Sequence, residues 1–176
     1  MRLLDAGCGS GRNVEYLLRC GADVFGVDAD PEQVERTRGL AARLAPSLPR
    51  EHFTVASLTD LPYADEHFDV VLCSAVLHFA SGIDEFRGMV SELWRVLLRG
   101  GIFFARLASS IGIEDDVRWI EDRRYRLPDG SDRFLVDEAF LQAISADLGA
   151  RQLDPLKTTV VQGMRSMTTW VLTKDS

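Results

Sequence analysis

Three glycines and a carboxylate near the N-terminus have the types and spacing of a site that holds a small ligand. Gly7, Gly9 and Gly11 stand at alternate positions after a short apolar run that ends in Asp5. Such glycines let a ligand approach the backbone, because no Cβ atom blocks it, and they permit positive φ angles. From Arg12 onward the apolar residues recur at helical spacing, and the amides at a helix start bind anionic groups. The pattern therefore predicts a strand, a glycine turn and a helix arranged around a ligand.

A second carboxylate, Asp28, ends the next predicted strand, which begins at Ala22. A carboxylate at the tip of this strand can accept hydrogen bonds from both hydroxyls of a ribose, which favours an adenosine-type ligand. Dinucleotide-binding enzymes use the same arrangement, so Asp28 alone does not distinguish between cofactors. Asp30, followed by Pro31, is the expected N-cap of the next helix, so Asp28 is not needed for that role.

The glycine spacing separates two classes of ligand. The dinucleotide fingerprint G-x-G-x-x-G has its third glycine where this chain has Arg12. The stretch from Asp5 to Gly11 instead closely resembles the first motif of the class I S-adenosylmethionine (SAM) methyltransferases. In that family the loop wraps the methionyl end of SAM, and a carboxylate like Asp5 helps to hold its ammonium group.

Two later stretches extend the resemblance to that family. Ser57–Pro62 is similar to the stretch that contacts the adenine, although Ser57 stands where the family commonly has aspartate. The Ser57 hydroxyl, a backbone carbonyl or Asp60 is then left to meet the adenine amino group, and Leu58 would pack against the base. The strand predicted over 68–74 resembles the family's fourth strand, whose end faces the transferred methyl. The resemblance implies one set of cofactor-binding residues: Asp5, Ala6, Gly7, Gly9, Gly11, Asp28, Ala29, Ser57, Leu58 and Ser74.

The reaction implied by the resemblance is direct displacement at the methyl group of SAM, which leaves S-adenosylhomocysteine. Because the sulfonium already activates the methyl, the protein mainly has to align nucleophile, methyl and sulfur. A general base is optional. His78, placed at the reaction site, is the best candidate because its imidazole can take a proton near neutral pH. Packing or hydrogen bonding within the fold is the alternative role for His78.

Alternating strands and helices predict an α/β fold, a Rossmann-like, doubly wound and mostly parallel sheet with helices on both faces. Such open sheets bind ligands at the carboxyl ends of their strands, where the residues above are expected. We expect one domain over residues 1–176. Residues 1–107 would form the cofactor-binding half, and residues 136–176 a helix and an antiparallel hairpin. Residues 108–135 would be a variable insertion, with a short helix and then a turn, that covers the substrate.

The composition indicates which partners to expect. A formal net charge of -7 at pH 7 argues against a broad nucleic-acid surface. No stretch approaches the ~20 apolar residues of a membrane span, and no signal peptide is visible. The three cysteines lack metal-ligand spacing and suit the cytoplasm. We therefore expect a small-molecule methyl acceptor and no metal, while a homodimer stays open.

Two other functions stay open. An NAD(P)-dependent oxidoreductase is disfavoured by Arg12 in place of the third glycine and by the lack of a Tyr-x-x-x-Lys pair. A non-catalytic module of the same fold, which contacts a partner, is the second. Members of the family usually carry a few dozen residues before the first strand, which close over SAM and the substrate. Here the first strand begins almost at once, so three alternatives stay open: further residues cover the site, a second chain covers it, or it stays uncovered, which would impair water exclusion.

Overall fold

One large sheet and one small sheet organise the computed structural model, which describes residues 1–175. The elements occur along the chain as β1 (Arg2–Ala6), α1 (Arg12–Arg19), β2 (Asp23–Asp28), α2 (Pro31–Leu44), β3 (Phe53–Val55), β4 (Phe68–Ser74), α3 (Ile83–Arg95), β5 (Leu97–Ala108), β6 (Arg118–Glu121), β7 (Arg124–Arg126), β8 (Asp132–Phe134), α4 (Glu138–Asp147), β9 (Ala150–Gln152), β10 (Lys157–Val161) and β11 (Arg165–Lys174).

The large sheet has the strand order β10-β11-β5-β4-β1-β2-β3. The strands from β5 to β3 pair in parallel, while β11 pairs antiparallel with both β5 and β10. The short strand β9 pairs with the far end of β11. The expected mostly parallel sheet with a C-terminal antiparallel hairpin is therefore confirmed. The order brings the carboxyl ends of β1, β2 and β4 together at one edge.

Helices cover both faces of this sheet. On one face, α1 and α2 bury Val14 and Val34 against Leu3 and Phe53. On the other face, α3 and α4 contribute to a larger core that contains Leu4, Phe68, Phe86, Phe103, Leu141 and Trp170. Since Leu3 and Leu4 point to opposite faces of β1, the apolar pair at the start of the chain joins both cores. The doubly wound arrangement is confirmed.

Side-chain caps fix where two of the helices start. Asp30 accepts a hydrogen bond from the amide of Glu32 at 2.8 Å, and Pro31 occupies the first turn of α2. Asp137 caps α4 in the same way by accepting from the amide of Phe140 at 2.8 Å. Both caps follow from the preference for aspartate at this position.

Helix α3 ends earlier than its apolar pattern suggests. The pattern continues to Leu98, but the structure ends the helix at Arg95. Leu97 instead starts β5 and pairs with Phe68, because it completes the core between β4 and β5.

The expected short helix in residues 108–135 is wrong. This segment forms the small antiparallel sheet β6-β7-β8. Strands β6 and β7 are joined by Asp122 and Arg123, whose φ angles of 40° and 63° are the positive values of a type I′ hairpin turn. In the register of this hairpin, Trp119 lies opposite Tyr125. Within residues 1–175, no helix is long and apolar enough to cross a membrane.

Candidate active site

The glycine turn after β1 is fixed by backbone hydrogen bonds and by left-handed backbone angles. The φ angles are 81° at Gly7, 53° at Gly9 and 89° at Gly11. The amides of Gly7 and Cys8 both donate to the carbonyl oxygen of Val27, at 2.8 and 2.9 Å. The turn is thereby anchored to the end of β2. Glycine adopts this conformation without the steric cost that a side chain would add.

The three glycines differ in what surrounds them. A Cβ atom at Gly7 would lie 2.2 Å from Cγ2 of Val76, and one at Gly11 would lie 2.8 Å from Cδ2 of Leu40. A Cβ atom at Gly9 would meet nothing within 4 Å. Gly7 and Gly11 are therefore required by the protein's own packing. Gly9 leaves open space next to the backbone, which is where a ligand can approach.

Asp5 is a buried carboxylate, and one of its two oxygens has no hydrogen-bond partner in the described chain. Its side chain is 0% exposed, and Oδ1 accepts only a long hydrogen bond of 3.5 Å from Asn13 Nδ2. Oδ2 has no hydrogen-bond partner in the described chain. Burial raises the pKa of Asp5 to about 7. The hydrogen bond from Asn13 acts in the opposite direction, and the negative charge of Asp28 raises the pKa further. A buried carboxylate without a partner is costly, so this atom calls for a cationic or donor group.

Asp28 connects the glycine turn to the start of α2. Its Oδ2 accepts from the amide of Gly9 at 2.9 Å, and its Oδ1 accepts from the amide of Asp30 at 3.0 Å. Each carboxylate oxygen can accept more than one hydrogen bond, so capacity remains for ribose hydroxyls. Thr37, which is fully buried, donates from Oγ1 to the carbonyl oxygen of Gly9 at 2.7 Å. The turn is therefore held on both sides of Gly9.

The residues expected around the adenine have different exposures. Ser57 is exposed, and its Oγ forms a 2.8 Å hydrogen bond with Oγ1 of Thr59. Leu58 is only 7% exposed and packs in the larger core, while Ala29 is exposed beside Asp28. Ala6 is fully buried, so only its backbone is available to a ligand. Their roles toward a cofactor stay predictions.

The end of β4 carries the remaining expected site residues. Ser74 is followed by Ala75, which has a φ of 63° although it is not glycine, and the Ala75 amide donates to the carbonyl oxygen of Arg106 at 2.7 Å. Such a strained residue is held in place by its surroundings and is typical of functional sites. Val76 lies against Gly7, and a single 3₁₀ turn then places His78.

His78 is nearly buried, and one of its ring nitrogens is already engaged. Nδ1 accepts a 3.2 Å hydrogen bond from the amide of Ala108, so Nε2 carries the proton of the neutral ring. Burial, together with the charges of Arg133, Arg106 and Arg165, lowers the pKa of His78 to about 4. The general-base role stays a prediction. This geometry weighs against it, because the free nitrogen is a donor and the ring resists protonation at neutral pH.

A cavity of about 280 Å³ adjoins the end of β4 on its β5 side. His78 and three arginines contribute to its wall, and Ala75 links it to the segment that contacts the glycine turn. Two spaces therefore stand out near the carboxyl ends of the strands. One is the open space beside Gly9, whose amide binds Asp28, and the other is the cavity beside His78.

Several residues of the site were missed by sequence reasoning. Asn13 and Thr37 hold Asp5 and the glycine turn, and Val76 packs on Gly7. Their residue types carry no signal, since a polar residue in a helix and a valine after a strand are both common. Arg106 did carry one, because it is a charged residue within the apolar run from Ile102 to Ala108, close to the carboxyl end of β5.

The strand order and the glycine turn backed by carboxylates define a Rossmann-like, cofactor-binding α/β protein of the class I methyltransferase type. Residues 4–105 match the family model described as a methyltransferase domain. This match covers more than half of the chain. The chain therefore belongs to the methyltransferase domain family, and the resemblance drawn from its motifs is confirmed.

Individual relatives agree with this assignment. A ubiquinone biosynthesis O-methyltransferase from Brucella anthropi is 32% identical over 170 residues, which cover 90% of this chain and 63% of that enzyme. The chain thus spans less than two thirds of this curated relative. A SAM-dependent methyltransferase from Methanosarcina mazei has the same fold, with a TM-score of 0.80 at 22% identity over 99% of this chain and 92% of that one. The magnesium protoporphyrin IX methyltransferase of Synechocystis, solved with bound SAM, has a TM-score of 0.70 at 20% identity over 98% of this chain and 69% of that one.

Proposed function

We propose that this chain binds SAM and transfers its methyl group to a small-molecule acceptor. The observation that carries the proposal is the buried Asp5 carboxylate, whose Oδ2 has no partner within the described chain, directly before the glycine turn. A ligand with an ammonium group would satisfy this oxygen and favour the ionised carboxylate. The methionyl end of SAM carries such a group.

The other cofactor contacts proposed here agree with the space and polarity at each position. Gly9 leaves room for the methionyl backbone, and Asp28 has lone pairs left for the ribose hydroxyls. Ala29 follows β2, and Ser57 and Leu58 follow β3, at the edge where the adenine would bind. Ser74 ends β4, beside the proposed reaction site.

In the proposed reaction, SAM supplies a methyl group activated by its sulfonium. The chain then has to position an acceptor in line and keep water away. The strained Ala75 and the 3₁₀ turn with His78 form a rigid wall for that acceptor. A neutral His78 can orient it by donating from Nε2.

A small-molecule acceptor is supported by the relative named as a ubiquinone biosynthesis O-methyltransferase. The formal net charge of -7 supports a small molecule over nucleic acid. Free thiols at Cys8, Cys20 and Cys73 support a cytoplasmic location. Residues 108–135 are proposed as the cover over the acceptor, within a single domain.

Isothermal titration of the full chain with SAM, S-adenosylhomocysteine and NAD(H) tests the cofactor. We expect micromolar binding of the two sulfur ligands and no binding of NAD(H). The variant Asp5→Asn should weaken SAM, whereas Asp115→Asn, an exposed carboxylate in a loop, should not. Binding of NAD(H) alone, or of none of the ligands, would contradict the proposal.

Release of S-adenosylhomocysteine in the presence of small acceptors then tests transfer. Tight SAM binding without turnover on a broad panel would favour the alternative of a non-catalytic module.

A further inference from the structure

The cavity beside His78 has a positively charged wall with little to neutralise it. Arg106, Arg133 and Arg165 contribute to it from three separate elements, and no aspartate or glutamate lines it. The rest of the wall is largely apolar, with Phe79 and Leu127 among its side chains. A cavity with an apolar body and convergent cationic groups is suited to a small amphiphilic anion.

Only one of the three arginines is paired with a carboxylate in residues 1–175. Arg165 forms a salt bridge with Asp129, whose pKa is lowered to about 2 mainly by hydrogen bonds from Ser131, with Arg165 adding to the shift. Arg133 donates to the backbone oxygen of Asp132 at 2.6 Å and lies 4.9 Å from the centre of the Phe79 ring.

Arg106 makes no side-chain hydrogen bond or salt bridge to any residue that the structure describes. Two guanidinium groups therefore face the cavity without an anionic partner. Guanidinium groups bind carboxylates and phosphates strongly, because their planar arrangement of donors matches two oxygens at once.

His78 adds a donor of fixed direction to this wall. The hydrogen bond from Ala108 to Nδ1 fixes the tautomer, so Nε2 carries a proton and makes no hydrogen bond within the described chain. The surrounding arginines keep the ring neutral, as does its burial. His78 can therefore donate to an oxyanion without itself needing to change charge.

The cavity lies where an acceptor would meet the proposed cofactor site. Ala75 lines the cavity, and the next residue, Val76, lies against Gly7 of the glycine turn. One short segment thus borders both spaces. The cavity volume of about 280 Å³ is at the small end of the range for ligand pockets and suits a single ring with its substituents.

We infer that the methyl acceptor is a small acid. Arg106, Arg133 and His78 bind its carboxylate or phosphate group, and its apolar body fills the cavity. That the bound acid is the methyl acceptor rests on the proposed function. The binding of an oxyanion is testable without turnover.

The test is a titration of the full chain with benzoate, phenyl phosphate and the neutral analogue benzamide, with and without S-adenosylhomocysteine. At least one anion should bind about tenfold more tightly than benzamide, and the stronger of the two identifies the oxyanion. Arg106→Gln and Arg133→Gln should each weaken that anion about tenfold, with benzamide unchanged. Arg87→Gln, which removes an exposed arginine of α3 that pairs with Asp147, is the matched control.

Equal binding of benzoate, phenyl phosphate and benzamide would overturn the inference, as would arginine variants that bind the anions like wild type. If Arg106→Gln fails to fold, Arg133→Gln and the charge-conserving Arg133→Lys carry the same test, with the lysine variant retaining part of the affinity. S-adenosylhomocysteine is titrated in parallel. If S-adenosylhomocysteine binds but the cavity shows no preference for the anions over benzamide, this inference alone is overturned. If S-adenosylhomocysteine fails to bind wild type, the proposed function is overturned.

Discussion

The two spaces on either side of the β4 end have opposite electrostatic character. Beside the glycine turn, the charged groups are the carboxylates of Asp5 and Asp28, and Asp5 is only half satisfied. Beside His78, the charged groups are guanidiniums, of which Arg106 and Arg133 have no carboxylate partner among the described residues. The carboxylates and the guanidinium groups that lack partners are thus located in different spaces. Each space is preorganised for a group of the opposite sign.

The two spaces also differ in how they are built. The glycine turn is mostly local, since backbone hydrogen bonds join residues 5–11 to the end of β2, with Val76 and Thr37 packed against it. The cavity is assembled from the segment after β4 and from β5, β8 and β11, which lie far apart in the sequence. The turn therefore depends on backbone conformation, and the cavity depends on the packing of side chains.

The largest effect is expected from a substitution in the glycine turn, at a residue that does not line the cavity. Gly7→Ala places a Cβ atom 2.2 Å from Val76 Cγ2 at a φ of 81°, so it should lower the free energy of unfolding by about 3 kcal/mol. Gly9→Ala has open space and should cost about 1 kcal/mol, from its backbone angle alone. Urea unfolding of both variants measures the difference.

The same pair separates packing from ligand binding. Gly9→Ala should stay folded and still bind SAM more weakly than wild type, because its methyl group enters the proposed ligand path. Equal losses of stability in the two glycine variants would show that the turn is not restrained by Val76.

A smaller effect is expected from the charge at the turn. Asp5→Asn should weaken SAM binding by about 2 kcal/mol at pH 8, where wild-type Asp5 is mostly ionised, since its pKa is raised to about 7 by burial. Wild-type affinity should increase from pH 6 to pH 8 as Asp5 ionises. The Asn variant should show little of this increase in titration calorimetry.

The cavity provides the control for this charge effect. Benzoate or phenyl phosphate should bind Asp5→Asn as it binds wild type, because the arginines are unchanged. A parallel loss of anion binding would mean that the two spaces are not electrostatically separate.

The local turn was predictable from sequence and the cavity was not. Three alternate glycines between a strand and a helix leave few conformations, so the motif, its fold and Asp28 were all identified without coordinates. The sequence pattern predicts a short helix and then a turn in residues 108–135, where the structure has the small sheet. Its charges obscured the period-two pattern, and its hairpin turn uses Asp122 and Arg123 instead of the Asn-Gly that signals such turns.

Side chains that meet only in three dimensions escape a linear pattern for a physical reason. Arg106 and Arg133 are 27 positions apart in the sequence and come near His78 only because β5 and β8 both pack against the 3₁₀ turn that carries it. Asn13 is near Asp5 in sequence, yet its hydrogen bond depends on the angle between α1 and β1. Charge pairing of this kind follows from the fold and is not encoded in residue spacing.

The pH dependence of stability provides a third, smaller contrast. The pKa of Asp5 is raised from 3.8 to about 7 by burial, so from pH 4 to pH 7 the folded state binds a proton that the unfolded state lacks, and stability falls as pH rises. The pKa of His78 is lowered from 6.5 to about 4, chiefly by burial, so its contribution is lost as pH falls from 6.5 to 4.

Between pH 4 and 6.5 these two contributions oppose each other, each at up to about 1.4 kcal/mol per pH unit. Relative to wild type, His78→Gln should show stability that falls more steeply with rising pH, and Asp5→Asn should show stability that rises. Urea unfolding at pH 4.5, 5.5 and 6.5 measures both slopes. Parallel profiles for all three proteins would contradict the burial assigned to these groups.

The smallest effect concerns a residue that supports the turn without touching a ligand. Thr37 is buried and donates to the carbonyl oxygen of Gly9 at 2.7 Å, so Thr37→Val keeps the shape and removes one hydrogen bond. The loss should be about 1 kcal/mol in stability. SAM affinity should fall several-fold, because Gly9 also donates its amide to Asp28 and a looser Gly9 disturbs both contacts. Thr37→Ser, which keeps the hydroxyl, should restore SAM affinity more fully than stability, since it lacks only the methyl group. If Ser at this position weakens SAM binding and Val does not, the methyl packing and not the hydrogen bond holds the turn, and the cofactor space then depends on side-chain packing as much as the arginine-lined cavity does.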